Sequence, residues 1–515
     1  MLTLYNTSLI GLLEKHAPLI TRNITIRPSA PWYTEDIREE KHKRRAMERR
    51  LRRTGLTVDR ERFVDQCQVV NEFILQAKTA YYSRIIDENQ YDPKRLFSIF
   101  DKLLHRKSEP KPDSMDDESL ANAFADYFIE KITTIREELQ EKRGTTNHAQ
   151  VELLYSGPRF NYFRSVSCDE LSDLVPRSTL KSCMLDPIPA SVLKNCYDLL
   201  LPFITKVVNC SLQNSTLTSD MKETIVRPSL KKPSLDYQLY KNHRPISNLM
   251  FLSKCEKVVA SQFISHLREN KLEEIFQSAY KVGHSTESAL LRVHNDMPRA
   301  LYDGKCVMLV LLDLSAAFDT VDHGILLSLL SQCIGVQGSA YTWFESYLSS
   351  RSQFVQIRDT SSSDRQLTCG LPQGSVLGPI LYLVYTSPLG AILRRHGVGF
   401  HMYADDTQLY LSMKTTKMED VVSARTRVEV CLRELNQWML LNNLRLNNDK
   451  TELLVLHTKH RPKPPLDSIT VGDATVEPTS SARNIGAIFD DTMSSEEHFN
   501  DLCKTAFYHI RNISH

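Results

Sequence analysis

The sequence predicts an α+β fold, with a small antiparallel sheet set among long helices. Three groups of residues carry that prediction. Residues 400–412, FHMYADDTQLYLS, hold two short apolar and aromatic runs around a polar centre, the pattern of two antiparallel strands meeting near Ala404 to Thr407. Residues 307–312, VMLVLL, form an unbroken apolar run of strand length, suited to a buried strand. Residues 59–104, 118–141 and 418–441 carry helical patterning over many turns.

The hairpin puts two carboxylates, Asp405 and Asp406, side by side at its turn. Adjacent like charges repel, so either water solvates them or a cation neutralises them; Asp is common in solvated turns, and a divalent ion is the usual neutraliser. A third acid, Asp313, ends the apolar run at 307–312. A charge closing a buried strand is costly unless it is paired or metal-bound. Asp319 or Thr320, just beyond, reads as the cap of a helix running to about residue 330.

Composition bounds the rest. A chain of 515 residues with 41% apolar content is long enough for about two to four domains. Lys and Arg total 64 against 62 Asp and Glu, so no global basic field announces a nucleic-acid partner, and any such surface must be local. The 11 cysteines are an odd number without a CxxC pair, which argues against a disulfide framework or a zinc knuckle and for reduced thiols in an intracellular setting. The first 20 residues lack the apolar centre of a signal peptide. The longest apolar run stops at Asp313, far short of the ~20 residues that span a bilayer.

Taken in order, residues 1–30 end in a Pro-Ser-Ala loop composition and read as a linker remnant, and residues 31–150 as a helical basic extension. Within the latter, IREEKHKRRAMERRLRR at 37–53 is dense in base, including Arg44, Arg45, Arg49 and Arg52. It is either a solvated helix laced by Glu–Arg pairs or a surface for nucleic-acid phosphates. Tyr81, Tyr82 and Ile85 are candidate core residues; residues 108–117 read as a boundary and 144–150 as a polar loop. A sharp turn at 185–189 precedes a helix over 190–212. Residues 224–247 carry Arg227, Lys231, Lys232, Lys241 and Arg244 among prolines that forbid a helix, so the bases lie on strands or an extended loop. They suit a triphosphate or template strand, or make an ordinary basic surface. Helices follow at 253–270 and after Ser285 or Thr286, and a strand pair at 352–357 and 366–368. GLPQGSVLGPILY at 370–382 is a tight turn before a long apolar helix ending near His396; Gly374 would let a backbone approach a ligand, with Gln373 beside it. Residues 444–457 form a turn plus strand presenting Lys450; beyond a linker at 461–465 come a hairpin at 468–478, a short strand at 484–489 and a helix at 496–513.

In this order and spacing, DLSAAFD at Asp313, LPQGS at Leu371 and YADD at Tyr403 resemble the palm motifs of reverse transcriptases. HRPISN at His243, GHSTESA at Gly283 and NNDKTELLVL at Asn447 make the chain similar to the polymerase of non-long-terminal-repeat (LINE-type) retrotransposons, over roughly residues 186–513. The start at Pro31, Trp32 and Tyr33 resembles the region such elements carry between endonuclease and polymerase; no stretch resembles the endonuclease.

That resemblance implies a right-hand polymerase: fingers over 185–300, palm with an antiparallel sheet over 301–460, palm end and partial thumb over 461–515, and a reverse transcriptase domain of about 211–490 overall. It implies that Asp313, the Leu314 carbonyl, Asp405 and Asp406 hold two Mg²⁺ ions, or Mn²⁺, ~4 Å apart, activating a primer 3′ hydroxyl and neutralising the α-phosphate and pyrophosphate. Phe318 would gate the sugar 2′ oxygen, and Phe318→Ala would admit ribonucleotides. Gln373 and Gly374 would line the nucleotide and template pocket, and Arg244 with Lys231 or Lys232 would contact the triphosphate. Lys450 would protonate pyrophosphate, or is a surface lysine. The expected partners are an RNA template, a DNA primer and dNTPs, with no membrane, and a separate endonuclease for the nick; the expected location is cytoplasm and nucleus. Truncation would weaken polymerisation. Competing readings are a catalytically idle nucleic-acid-binding remnant, an intron maturase, and a generic metal hydrolase, which would need neither LPQGS nor an aromatic five residues after Asp313.

Overall fold

The computed structural model describes residues 2–18, 30–89, 96, 115–143, 154–176, 183–232, 235–415, 417–461 and 463–514. They form two compact units: Met1–Pro18 with Lys111–Cys503, and Leu19–Pro110 with Lys504–His515. The content is mixed α and β, as the apolar runs and helical periodicities predict. The expected boundary at 108–117 and loop at 144–150 fall wholly or largely outside the described residues.

The larger unit is organised on a five-stranded sheet in the order Pro478–Thr479, Glu452–Leu456, Cys306–Leu312, Asp406–Met413, Gly399–Tyr403. All neighbours are antiparallel except Pro478–Thr479 on Glu452–Leu456. The central strand Cys306–Leu312 is buried along its whole length, and strand alternation sends its side chains into two cores. Met308, Val310 and Leu312 join the main core with helix Met418–Leu441, while Val307, Leu309 and Leu311 pack with Val293 and Met297 of helix Thr286–Tyr302. An unbroken apolar run is what burial on both faces requires.

A second sheet pairs His243–Asn248 with Glu223–Leu230, Glu223–Leu230 with Arg351–Ile357, and Arg351–Ile357 with both Thr360–Ser361 and Arg365–Leu367. The basic, proline-bearing stretch therefore forms antiparallel strands, in register Ser229 opposite Arg244. Helix Asp117–Arg143 covers this sheet, burying Leu120, Phe124 and Phe128 against Val226 and Val355.

Several expectations need correction. Residues 1–30 are not linker throughout: Leu2–His16 is a helix whose Leu2 is buried and whose Tyr5, Leu9 and Leu13 pack on the main core, a stripe at helical spacing. Helix Asp117–Arg143 groups with the larger unit, not with the basic helix of the expected 31–150 extension. The helix expected over 190–212 breaks at Cys196 into Ala190–Asn195 and Tyr197–Asn214, and the one after LPQGS breaks at Ser387, where Pro388 starts the helix Pro388–Arg395.

In the smaller unit, Glu35–Thr54 and Thr57–Glu88 pack as a helical hairpin. Its turn is Gly55, whose φ of 65° lets its N–H donate to the Leu51 carbonyl. Tyr81, Tyr82 and Ile85 are only half-buried. Among the described residues no helix is long and apolar enough to cross a membrane.

Candidate active site

Strand register sets the acids. Leu312 lies opposite Thr407, so the residues that follow and precede them, Asp313 and Asp406, emerge together at one end of the central strand pair. Tyr403 pairs with Asp406, which leaves only Ala404 and Asp405 to turn the chain. Ala404 has a φ of 57°, a left-handed conformation that a non-glycine residue keeps only when its surroundings hold it. Gln277 supplies that hold. Its side chain is buried; its Oε1 accepts the Ala404 N–H at 3.1 Å and the Ala279 N–H at 2.9 Å, and its Nε2 donates to the Ala404 carbonyl at 3.3 Å. Residues 276–278 also run beside the outer strand: Met402 N–H donates to the Phe276 carbonyl at 2.8 Å, and Ser278 N–H to the Met402 carbonyl at 3.1 Å.

The acids are unequally compensated. Burial, and then repulsion from Asp405 and Asp313, pushes the Asp406 carboxyl up to about 6. Burial raises Asp405 as well; Asp313 adds to the shift, and Lys450 and Arg244 oppose it. Asp313 is the partnered member, its Oδ2 accepting from Lys450 Nζ and Asn447 Nδ2, each at 2.9 Å. Lys450 is delivered by backbone pairing: Leu314 opposes Leu446, and Asn447 N–H donates to the Asp313 carbonyl at 2.9 Å. So Lys450 is an ion-pair partner of Asp313, although its side chain is 67% exposed. Among the described residues no group of three or more His, Cys, Asp or Glu side chains stands ready as a metal cluster. The acids repel one another and Asp313 is drawn to Lys450 and Asn447, so they share one strand end without closing on a common point.

The LPQGS turn is stitched to the second sheet. Ser247 N–H donates to the Gln373 carbonyl at 3.1 Å. At Gly374 φ is 111°, and a Cβ would stand 3.0 Å from the Ser247 carbonyl oxygen, so both conformation and space require glycine. Gln373 Nε2 donates to Asp319 Oδ1 at 2.7 Å. Asp319 is thus a partner of Gln373 and Thr320 is buried; the helix cap is Asp322, whose side chain accepts the Ile325 N–H of helix His323–Gln332. Beneath the turn the buried carboxylate of Glu256 accepts the N–H groups of Val376 and Leu377 at 3.1 and 3.2 Å. Phe318 stacks on Tyr382 with ring centres 4.3 Å apart and meets the edge of Tyr280 at 6.4 Å.

Cations border the acids. Arg244 is exposed, and its charge lowers the proton affinity of Asp405. Burial, then the cations of Lys131, Lys450 and Arg244, push the Lys231 ammonium down, and Lys231 Nζ donates to the Lys241 carbonyl at 2.6 Å. Lys232 is exposed and takes part in none of these contacts. Arg44, Arg45, Arg49 and Arg52 belong to the smaller unit, where Arg52 pairs with Glu48 at 2.6 Å.

Sequence reasoning missed Gln277, Tyr280, Asn447, Asp319 as a Gln373 partner, and Lys131. Gln277, Tyr280 and Asn447 lie within or beside quoted motifs, so proximity was a usable signal. For Lys131 the signal was a lysine among Phe124, Phe128 and Ile135 on a core-facing helical stripe.

Paired acids at the end of an antiparallel strand pair, with a glycine-bearing turn and a basic sheet beside them, all lie within or beside the span that a family model matches. The family model for reverse transcriptase (RNA-dependent DNA polymerase) matches residues 230–487, about half of the chain, and the chain belongs to that family. It is 22% identical over 501 residues to a probable RNA-directed DNA polymerase from transposon BS of Drosophila melanogaster, covering 93% of this chain and 54% of that protein. It is 27% identical over 348 residues to the probable RNA-directed DNA polymerase from transposon X-element of the same species, 65% of this chain and 36% of the relative. To the RNA-directed DNA polymerase from the Drosophila melanogaster mobile element jockey it is 24% identical over 400 residues, 74% of this chain and 42% of the relative. The chain thus spans about half or less of the length of these relatives.

Proposed function

We propose that this chain is an RNA-directed DNA polymerase that copies the RNA of a LINE-type retrotransposon into DNA. The observation that carries the proposal is the strand register that brings Asp313 beside the Ala404–Asp406 turn, within the span that matches the family. In this reading residues 185–300 are the fingers, residues 301–460 the palm with the antiparallel sheet, and residues 461–515 the palm end and thumb region. The basic hairpin 35–88 is a helical extension with Arg44, Arg45, Arg49 and Arg52 on nucleic-acid phosphates.

Asp313, Asp405, Asp406 and the Leu314 carbonyl would hold Mg²⁺, with Mn²⁺ as substitute. The donor chemistry fits, because all are oxygens suited to a hard cation, and a bound cation would offset the burial and mutual repulsion that raise the proton affinities of Asp405 and Asp406. Two such ions supply charge neutralisation for the primer 3′ oxygen, the α-phosphate and the leaving pyrophosphate. The residues of the chain do the rest. Gln277 keeps the acidic turn in its left-handed conformation. Lys450, already within reach of Asp313, is placed to hand a proton to pyrophosphate. Phe318, stiffened by its stack on Tyr382, walls the sugar and discriminates against a 2′ hydroxyl. Gln373, steered by Asp319, and Gly374 line the nucleotide and template pocket, and Arg244 with Lys231 or Lys232 meets the triphosphate. Partners are an RNA template, a DNA primer and dNTPs.

Primer extension on poly(rA)·oligo(dT) with Mg²⁺ or Mn²⁺, beside an Asp405→Ala control, tests the proposal. Metal-dependent extension lost in the control supports it. A gel shift of primer-template without any added nucleotide overturns it in favour of an idle nucleic-acid-binding remnant.

A further inference from the structure

Helix Asp117–Arg143 lies outside the residues that match the family, yet it is built into the same unit as the acidic turn. Its inward stripe is apolar on either side of one residue: Leu120, Phe124 and Phe128 before it, Ile135 and Leu139 after it, all buried. Between them stands Lys131, half-buried. An ammonium on a core-facing stripe is unfavourable unless it meets an anion. Among the described residues Lys131 makes no ion pair or hydrogen bond. It lines a pocket with Thr224, Pro245, Ser247, Asp319 and Gln373, the strands and turn that carry the expected nucleotide contacts. The helix cannot easily swing away. Arg136 pairs with Asp322 at 2.5 Å, Arg365 at 2.7 Å with Asp126, and Arg445 at 2.5 Å with Glu138.

Lys131 does not stand alone. Its charge acts on Asp319 and on Lys231, and Lys231 also senses Lys450 and Arg244. Asp319 is the carboxyl that shares the pocket with Lys131, but its Oδ1 accepts from Gln373 and it forms no ion pair with the ammonium, which leaves Lys131 open to an added anion.

We propose that Lys131 is a further phosphate-binding residue of this site, forming with Lys231, Arg244 and Lys450 a four-cation receptor for substrate phosphate. The inference rests on the polymerase reading for the identity of its ligand. Two sources share that chemistry, the triphosphate of an incoming nucleotide and the backbone of the template strand.

Two measurements test it. In the first, Lys131→Met and Lys131→Arg are compared with the parent for KM of dTTP on saturating poly(rA)·oligo(dT) and for Kd of primer-template over a salt series. The expected result is a roughly tenfold rise on loss of charge, largely restored by arginine. A rise in KM identifies the triphosphate; a rise in Kd with a salt slope smaller by about one identifies the strand. Both constants within twofold of the parent in a folded Lys131→Met protein would overturn the proposal. In the second, the unmodified chain is treated with an amine-acylating reagent, and labelling of Lys131 is read by mass spectrometry with inorganic tripolyphosphate, with primer-template, or with neither. Protection by either ligand is expected, and absence of protection by both contradicts the proposal even if the methionine variant does not fold. Because labelling needs no turnover, extension without protection removes this inference alone, and protection without extension removes the polymerase reading while leaving the phosphate site.

Discussion

On one side of the site the carboxylates of Asp313, Asp405 and Asp406 are set by backbone: two paired strands, a two-residue turn and a ladder of hydrogen bonds fix where each emerges. On the other side Lys131 on a helix, Lys231 just past the end of a strand and Arg244 on a strand are long, half-buried or exposed side chains, with no ion pair among the described residues. Pre-set carboxylates fix the geometry of a reaction, whereas long cationic side chains without an acid partner can turn to a ligand that brings the charge. On the proposed polymerase reading, the comparison predicts that the first side governs turnover and the second substrate affinity.

Four substitutions break or sharpen that assignment. Asp405→Ala removes a backbone-set acid and should lower the extension rate by about a thousandfold or more, with primer-template Kd little changed. A parallel loss of binding would erase the distinction. Gln277→Leu leaves the acids in place but removes their support, three hydrogen bonds around Ala404 and Ala279. Each bond in such a buried setting is worth about 1 kcal/mol, so kcat should fall by roughly 10- to 100-fold with KM for dNTP nearly constant. A change in KM alone would make Gln277 a substrate contact. Arg244→Ala, on the cationic side, should do the reverse, raising KM for dNTP about tenfold while kcat stays within a few-fold. Asp406→Asn has the smallest effect, read as stability of the metal-free protein. A carboxyl held near 6 in the fold, against 3.8 as its ordinary value, binds its proton more tightly when folded, so its contribution falls as pH rises from about 4 to about 6. Asp406→Asn should flatten that decline and raise stability at pH 7 by on the order of 1 kcal/mol, after allowance for solvent screening. Parallel pH profiles of the two proteins would contradict the cause given for the shift.

The same contrast explains how much was legible beforehand. Asp313, Asp405 and Asp406 could be read because strand length and alternation put them at strand ends, and the glycine at 374 because a tight turn where the backbone approaches a neighbour closely suits glycine. The two-sided burial of Cys306–Leu312 was legible for the same reason: its apolar run has no polar face. What depended on distant pairing was not. Nothing local to Gln277 says that its amide will meet Ala404, 127 residues away. Asp319 looked like a helix cap because Asp caps helices, yet the chain uses Asp322 and spends Asp319 on Gln373. Lys131 required knowing which sheet its helix covers, and the helix Leu2–His16 was hidden by the loop composition that follows it.

The central claim is that Asp313 and the Asp405–Asp406 pair serve one cation site. Mn²⁺ binding followed by electron paramagnetic resonance, on the parent and on Asp313→Asn and Asp405→Asn, measures this most directly. Each substitution should weaken the same tight Mn²⁺ binding by about tenfold or more. If one variant loses Mn²⁺ and the other keeps the parent affinity, the acids do not share a cation and the account is contradicted.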